Sequence, residues 1–169
     1  VFARLIQNFD LNHETSDLVN LKRQYFKQLF DEDRSFDLLP GVEDLFKAYR
    51  ENNIELVLAS SASMNTINWV FDKFDLTQYF KAKISGDELK ASKPHPEIFN
   101  IAAQLAEVEK DECMVIEDST NGILAAHRAE IFCAAYRNKN THQQDYSLAN
   151  IVVDSFDALH PTKMENYFA

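Results

Sequence analysis

Val115-Ile116-Glu117-Asp118-Ser119-Thr120-Asn121-Gly122-Ile123 is the stretch that decides the fold. An apolar strand runs into two adjacent carboxylates. Small polar residues and a glycine follow, and a helix begins. Two acids side by side at a strand end repel each other and resist desolvation, so a cation between them is a physical reason for the pair to persist. In open parallel α/β sheets, ligands bind at the carboxyl ends of the strands. The stretch therefore predicts a hard-metal site, with Mg²⁺ the expected ion, in a doubly wound α/β domain. A pair of helix N-terminal acids favoured by the macrodipole is the plainer alternative.

Outward from this stretch, strands and helices alternate. Ile54 to Ala59 is a near-continuous apolar run, as a buried parallel strand should be. Ala82-Lys83-Ile84, Cys113 to Ile116, Ile131 to Tyr136 and Ile151 to Val153 read as the other strands. Val42 to Asn52, Met64 to Phe74, Pro96 to Ala106 and Asn121 to Ala129 read as helices, and polar Asn138 to Gln144 as a loop. This βαβα rhythm predicts a parallel sheet with helices on both faces. Residues 1–37 carry no strand signal. Leu18, Leu21, Tyr25, Phe26 and Leu29 make an apolar stripe on a helix that Thr15 or Ser16 can cap. Leu39-Pro40-Gly41-Val42 then punctuates the chain, so a helical segment over 1–37 and an α/β segment over 38–169 are expected.

Composition narrows the function. With 169 residues, 46% hydrophobic content and 13 Phe against 3 Gly, the chain has material for a real core. A net charge of −10 argues against a nucleic-acid backbone or an anionic membrane surface as partner. No apolar run approaches the ~20 residues of a membrane span. Cys113 and Cys133 both fall in strands expected to be buried, which predicts reduced thiols and a cytoplasmic setting. The acidic surface and the lack of an obvious interaction stripe predict a monomer.

Two further groups fall at strand ends. Ser60-Ser61-Ala62-Ser63 follows the run ending at Ala59, where small hydroxyl residues offer O–H and N–H donors to a phosphate or simply cap a helix. In Ser92-Lys93-Pro94-His95-Pro96, a lysine ahead of prolines is expected on a stiff extended segment. It is either a fixed point charge for an anion or a solvated surface lysine. His95 reads as a helix-start residue rather than a ligand. Hydroxyl after one strand, lysine after the next and paired acids after a third together describe a site for a phosphate and its metal.

This order resembles the haloacid dehalogenase superfamily of phosphatases and phosphomutases. The matching segments are Val57-Leu58-Ala59-Ser60-Ser61, Gly86-Asp87-Glu88 with Ser92 to Phe99, and Val115 to Ser119 with Asn121-Gly122. They look most like the branch holding β-phosphoglucomutase and sugar-phosphate phosphatases, for which the Leu39-Pro40-Gly41-Val42 entry is also typical. The resemblance implies a phosphate held by Ser60, Ser61 and Lys93. Ser60 would bond the transferring phosphoryl group, and Lys93 would neutralise it and orient the nucleophile. Asp118 would ligate Mg²⁺, with Glu117 supporting the metal site directly or through its neighbours. The partner would be a small phosphorylated metabolite, and residues 1–37 the later part of a helical cap.

The family's first motif, Asp-x-Asp-Gly-Thr/Val after an apolar strand, has no counterpart in this chain. Asp31-Glu32-Asp33 ends a polar helical stretch and is followed by Arg34. The resemblance thus implies a nucleophilic aspartate upstream of Val1, on a strand lying mid-sheet, whose lack would leave central strands unpaired. Three expectations follow: a Mg²⁺-dependent phosphatase acting through an aspartyl-phosphate, a phosphomutase on the same core, or a catalytically silent binding module. Ala129-Glu130-Ile131 also departs from the family's Ala-Gly, so Glu130 is expected to avoid the positive φ that Gly tolerates.

Overall fold

The computed structural model describes residues 2–139, 141 and 143–168. The chain divides into two compact units, residues 1–38 and 39–169.

The first unit is helical: α1 (Phe2–Phe9) and α2 (Thr15–Glu32) pack together. The helix is capped differently from expectation. Glu14, not Thr15 or Ser16, occupies the N-cap position, and it makes no side-chain cap bond. The expected stripe is also divided. Phe30 is buried with Phe26 and Phe36 around it, whereas Leu21, Tyr25 and Leu29 are exposed. Asp31 and Glu32 close α2 and Asp33 follows as its C-cap.

The second unit is a parallel α/β domain. After Gly41, which takes a left-handed φ of 84° that a side chain would resist, come α3 (Val42–Glu51), β1 (Leu56–Ser60) and α4 (Met64–Phe74). Then follow β2 (Phe80–Ser85), α5 (Glu97–Ala106), β3 (Met114–Glu117) and α6 (Thr120–Ala129). β4 (Phe132–Tyr136), β5 (Ile151–Val153) and the short α7 (Pro161–Met164) complete it. Helices lie on both faces, as the alternation predicts. One face packs α5 and α6 over Val57, Ala59, Ile84, Val115 and Cys133. The other buries Leu45, Tyr49, Leu159 and Met164 against Ala134 and Ile116, and the Tyr49 hydroxyl donates to the Leu159 carbonyl at 2.8 Å.

The strands form two sheets rather than one. β1 pairs with β2, and β3 with β4 and then β5, all parallel. Among the described residues no strand pairs with the outer edge of β1 or of β3. The consequence shows in burial. Every residue of β1 is only partly buried despite its apolar sequence, whereas the three middle residues of β4 are fully buried.

Three local expectations are corrected. Cys113 lies just before β3 and is partly exposed, while Cys133 is buried in β4; both are free thiols. Lys93 and Pro94 sit in a tight turn, not an extended segment: His95 N–H donates to the Ser92 carbonyl at 3.0 Å and the Lys93–Pro94 peptide is cis. Glu130 adopts φ 60° as the C-cap of α6. Its N–H closes the helix end on the His127 carbonyl at 3.1 Å, and an exposed side chain accepts the left-handed conformation to do so. The loop expected over Asn138–Gln144 includes residues 140 and 142, which lie outside the described residues.

Candidate active site

The candidate residues gather at and just beyond the carboxyl ends of β1, β2 and β3. Ser60 is the last residue of β1, and its Oγ accepts the Ala62 N–H at 3.1 Å, which leaves its own proton to donate. The role of N-cap of α4 falls to Ser63, whose Oγ accepts from Thr66 N–H. Ser61 is exposed. Ser60 and Ser61 are therefore not consumed as helix caps.

A residue to which the sequence assigned no role braces this turn. Ser85, at the end of β2, is fully buried; its Oγ donates to the Ala62 carbonyl at 2.8 Å and accepts the Asp87 N–H at 3.2 Å. Gly86 lets the two strand ends approach: a Cβ there would lie 3.2 Å from Ser61 Cα. Nothing local to Ser85 signals this, because its partner lies 23 residues away.

Lys93 and Glu117 form a direct ion pair, each side chain only 10% exposed. The Lys93 Nζ lies over the Phe99 ring, 4.6 Å from its centroid, and also donates to the Ala59 carbonyl at 3.1 Å. Lys93 thus ties the end of β1 to the end of β3. Glu117 Oε2 turns toward the start of α6 and accepts the N–H groups of Asp118 at 3.2 Å and Ser119 at 3.4 Å and the Ser119 hydroxyl at 3.1 Å. Gly122 makes room for it; a Cβ there would fall 2.0 Å from the carboxylate carbon.

The two acids consequently differ. Both oxygens of Glu117 are engaged by the protein. Asp118 is exposed, and partial desolvation followed by the neighbouring Glu117 charge holds its carboxyl above the usual aspartate range. A bound cation would reverse that shift. Hard carboxylate oxygen is the donor type Mg²⁺ takes, so Asp118 fits the ion as one ligand. Among the described residues, no group of three or more metal-ligating side chains gathers here. Cys133 lies within the same core, and burial pushes its thiol up to about 12, so it is inert at neutral pH.

Comparison with known proteins places the chain in a family. The chain is 34% identical over 94 residues to hexitol phosphatase B of Escherichia coli K12, an overlap of 56% of this chain and 42% of that protein. It is 32% identical over 121 residues to β-phosphoglucomutase of Bacillus subtilis (strain 168), covering 72% of this chain and 53% of the other. The chain thus spans about half the length of the curated relatives it matches. The crystal structure of β-phosphoglucomutase from Clostridium difficile superposes with a TM-score of 0.81 at 30% identity, covering 98% of this chain and 74% of that one. No helix among the described residues is long and apolar enough to cross a membrane. Residues 2–130 match the family described as haloacid dehalogenase-like hydrolase, and the chain belongs to that family.

Proposed function

We propose that the protein is a Mg²⁺-dependent phosphatase of small phosphorylated metabolites, sugar phosphates foremost, acting in the cytoplasm as a monomer. The observation that carries this reading is the buried Lys93–Glu117 pair, held between the ends of β1 and β3 beside the Ser60 turn and the exposed Asp118. A lysine so placed is a fixed positive charge, and phosphoryl transfer needs positioning and charge neutralisation above all.

In this reading Ser60, with Ser61, donates hydrogen bonds to the phosphoryl oxygens and Lys93 offsets their charge. Asp118 holds Mg²⁺, and Glu117 acts by orienting Lys93 rather than by touching the metal. The ion, when bound, supplies further charge neutralisation at the phosphoryl group. The nucleophile is an aspartate upstream of Val1: its attack on phosphorus breaks the P–O ester bond and releases the sugar alcohol, and water then cleaves the aspartyl-phosphate to inorganic phosphate and the free carboxylate. Support for its placement comes from the open edges of β1 and β3. A strand laid between them would pair their free backbone groups, cover β1 and end beside Lys93. In this reading residues 1–37 belong to the later part of a helical cap domain.

The test is turnover of a sugar-phosphate panel by the intact-length protein with Mg²⁺. Lys93→Ala and Asp118→Ala should each lower kcat/KM by at least about 100-fold. Turnover unaffected by either change sinks the assignment, and no turnover by the intact protein leaves the silent binding module. A phosphomutase is the second reading, favoured by the β-phosphoglucomutases among both the sequence relatives and the structural neighbours. Free phosphate as product marks hydrolysis; an isomerised sugar phosphate marks the mutase.

A further inference from the structure

The segment after β4 reaches back to the turn that carries Asp118. Gln144 Oε1 accepts two hydrogen bonds, from the Thr120 backbone N–H at 2.8 Å and from the Thr120 hydroxyl at 2.9 Å. Thr120 Oγ1 in turn accepts the Asp145 N–H at 2.8 Å. Thr120 opens α6, where first-turn N–H groups have no acceptor within the helix. Just ahead of the helix Glu117 takes the N–H groups of Asp118 and of the N-cap Ser119, and within the first turn the Ser119 hydroxyl takes that of Gly122. Gln144 supplies the acceptor for Thr120 from 24 residues away.

Gln144 is presented by a braced segment. Asn150 exchanges two bonds with Cys133 of β4: its N–H donates to the carbonyl at 2.9 Å and its Oδ1 accepts the N–H at 2.8 Å. Asp145 Oδ1 accepts the Ser147 N–H at 2.9 Å, and Tyr146 and Ala149 pack on the core. The Asp118 carboxylate, by contrast, accepts no hydrogen bond among the described residues beyond that of its own amide, and the charges of Glu117 and Lys93 act on it from nearby. With no other hydrogen bond to hold it, its carboxylate depends on the backbone that carries it for its placement. That backbone is pinned on one side by Glu117 and on the other by Gln144.

We infer that Gln144 is a positioning residue for the metal-binding turn: by holding Thr120 it fixes the direction in which Asp118 offers its carboxylate to the ion. This rests on the reading of Asp118 as the Mg²⁺ ligand. Residues that orient a metal ligand without touching the metal commonly control affinity by 10- to 100-fold.

The test is titration calorimetry of the intact-length protein with Mg²⁺ alone, with the Mg²⁺ dependence of turnover measured in parallel. Gln144→Ala should weaken Mg²⁺ binding about tenfold. It should raise the Mg²⁺ concentration needed for half-maximal turnover by the same factor and leave kcat at saturating Mg²⁺ within about threefold. Gln144→Glu retains the accepting oxygen and should restore binding. Thr120→Val, which keeps the backbone bond and loses the hydroxyl bonds, gives an intermediate loss and serves if Gln144→Ala does not fold. Asp118→Ala separates the two claims: Mg²⁺ binding that survives it overturns the metal-ligand reading itself. If Asp118→Ala abolishes binding while Gln144→Ala, or Thr120→Val in its place, binds within twofold of the wild type, the inference alone falls. A stability loss in Gln144→Ala with unchanged Mg²⁺ affinity makes Gln144 merely a cap and overturns the inference in the same way.

Discussion

Gly122→Ala should destabilise this protein, although the same change in an ordinary helix stabilises it. Gly122 lies in the first turn of α6, where alanine is normally favoured by about 1 kcal/mol. Here the new Cβ would fall 2.0–2.3 Å from the carbon and both oxygens of the Glu117 carboxylate. That carboxylate ends a flexible side chain, so the backbone need not move; the side chain swings away instead. The cost is then the loss of its partners: the Asp118 and Ser119 amides, the Ser119 hydroxyl and Lys93. Breaking an ion pair nine-tenths buried on both sides costs about 3 kcal/mol or more, because the remaining ammonium stays desolvated. Subtracting the helix gain leaves a net loss of about 2 kcal/mol, which lowers Tm by about 4–8 °C in a chain of 169 residues. Thermal and urea unfolding measure it, with exposed Asn121→Ala as a control expected to gain a few tenths of a kcal/mol. The decisive arm is the double mutant. In a Glu117→Ala background the obstruction is gone, and Gly122→Ala should become stabilising by about 1 kcal/mol. If Gly122→Ala is neutral or stabilising in the wild type, Glu117 is not held against α6 and the two acids do not divide as described.

Other outcomes follow from single contacts. Glu130→Gly relieves an exposed left-handed residue at the end of α6 and should stabilise by about 1 kcal/mol in urea unfolding. Ser85→Ala strands the Ala62 carbonyl and the Asp87 N–H; it should cost about 1–3 kcal/mol and raise KM for a phosphorylated substrate more than it lowers kcat. Asp118→Asn, tested in chelator, should raise Tm at neutral pH. Because the folded-state pKa is raised, the native state binds the proton more tightly. The wild type therefore loses stability as pH climbs from the usual value of 3.8 through the folded pKa, and the mutant's advantage should vanish below pH 3.8. With Mg²⁺ present the order should invert, since the wild type alone gains from the ion.

Much of the fold is legible one residue at a time because the signals are local. Met64–Phe74 and Ile151–Val153 fall where periodicity and apolar runs place them, and the other strands shift by only a few residues at either end. Ser60 and the pair Glu117-Asp118 stand out because they follow apolar runs, and Lys93 because it stands ahead of two prolines. Local geometry under tertiary control is what the sequence misleads on. Glu130 takes the left-handed conformation because helix α6 must end before β4 begins, and an exposed side chain tolerates what the termination requires. Lys93 is expected on an extended segment, yet it turns back to meet Ala59 and Glu117.

By itself, then, the sequence determined the alternation of elements, the helical first segment and the chemistry offered at each strand end, since hydrophobic period and residue type are properties of neighbours in the chain. Only the tertiary structure decided how those groups divide their work. Glu117 and Asp118 are adjacent acids with equal standing in sequence. Folding commits the first to Lys93 and the α6 amides and leaves the second open, because a partner 24 residues upstream reaches one carboxylate and not the other. Ser85 and Gln144 act through partners 23 and 24 residues away, and no pattern along the chain encodes such distances.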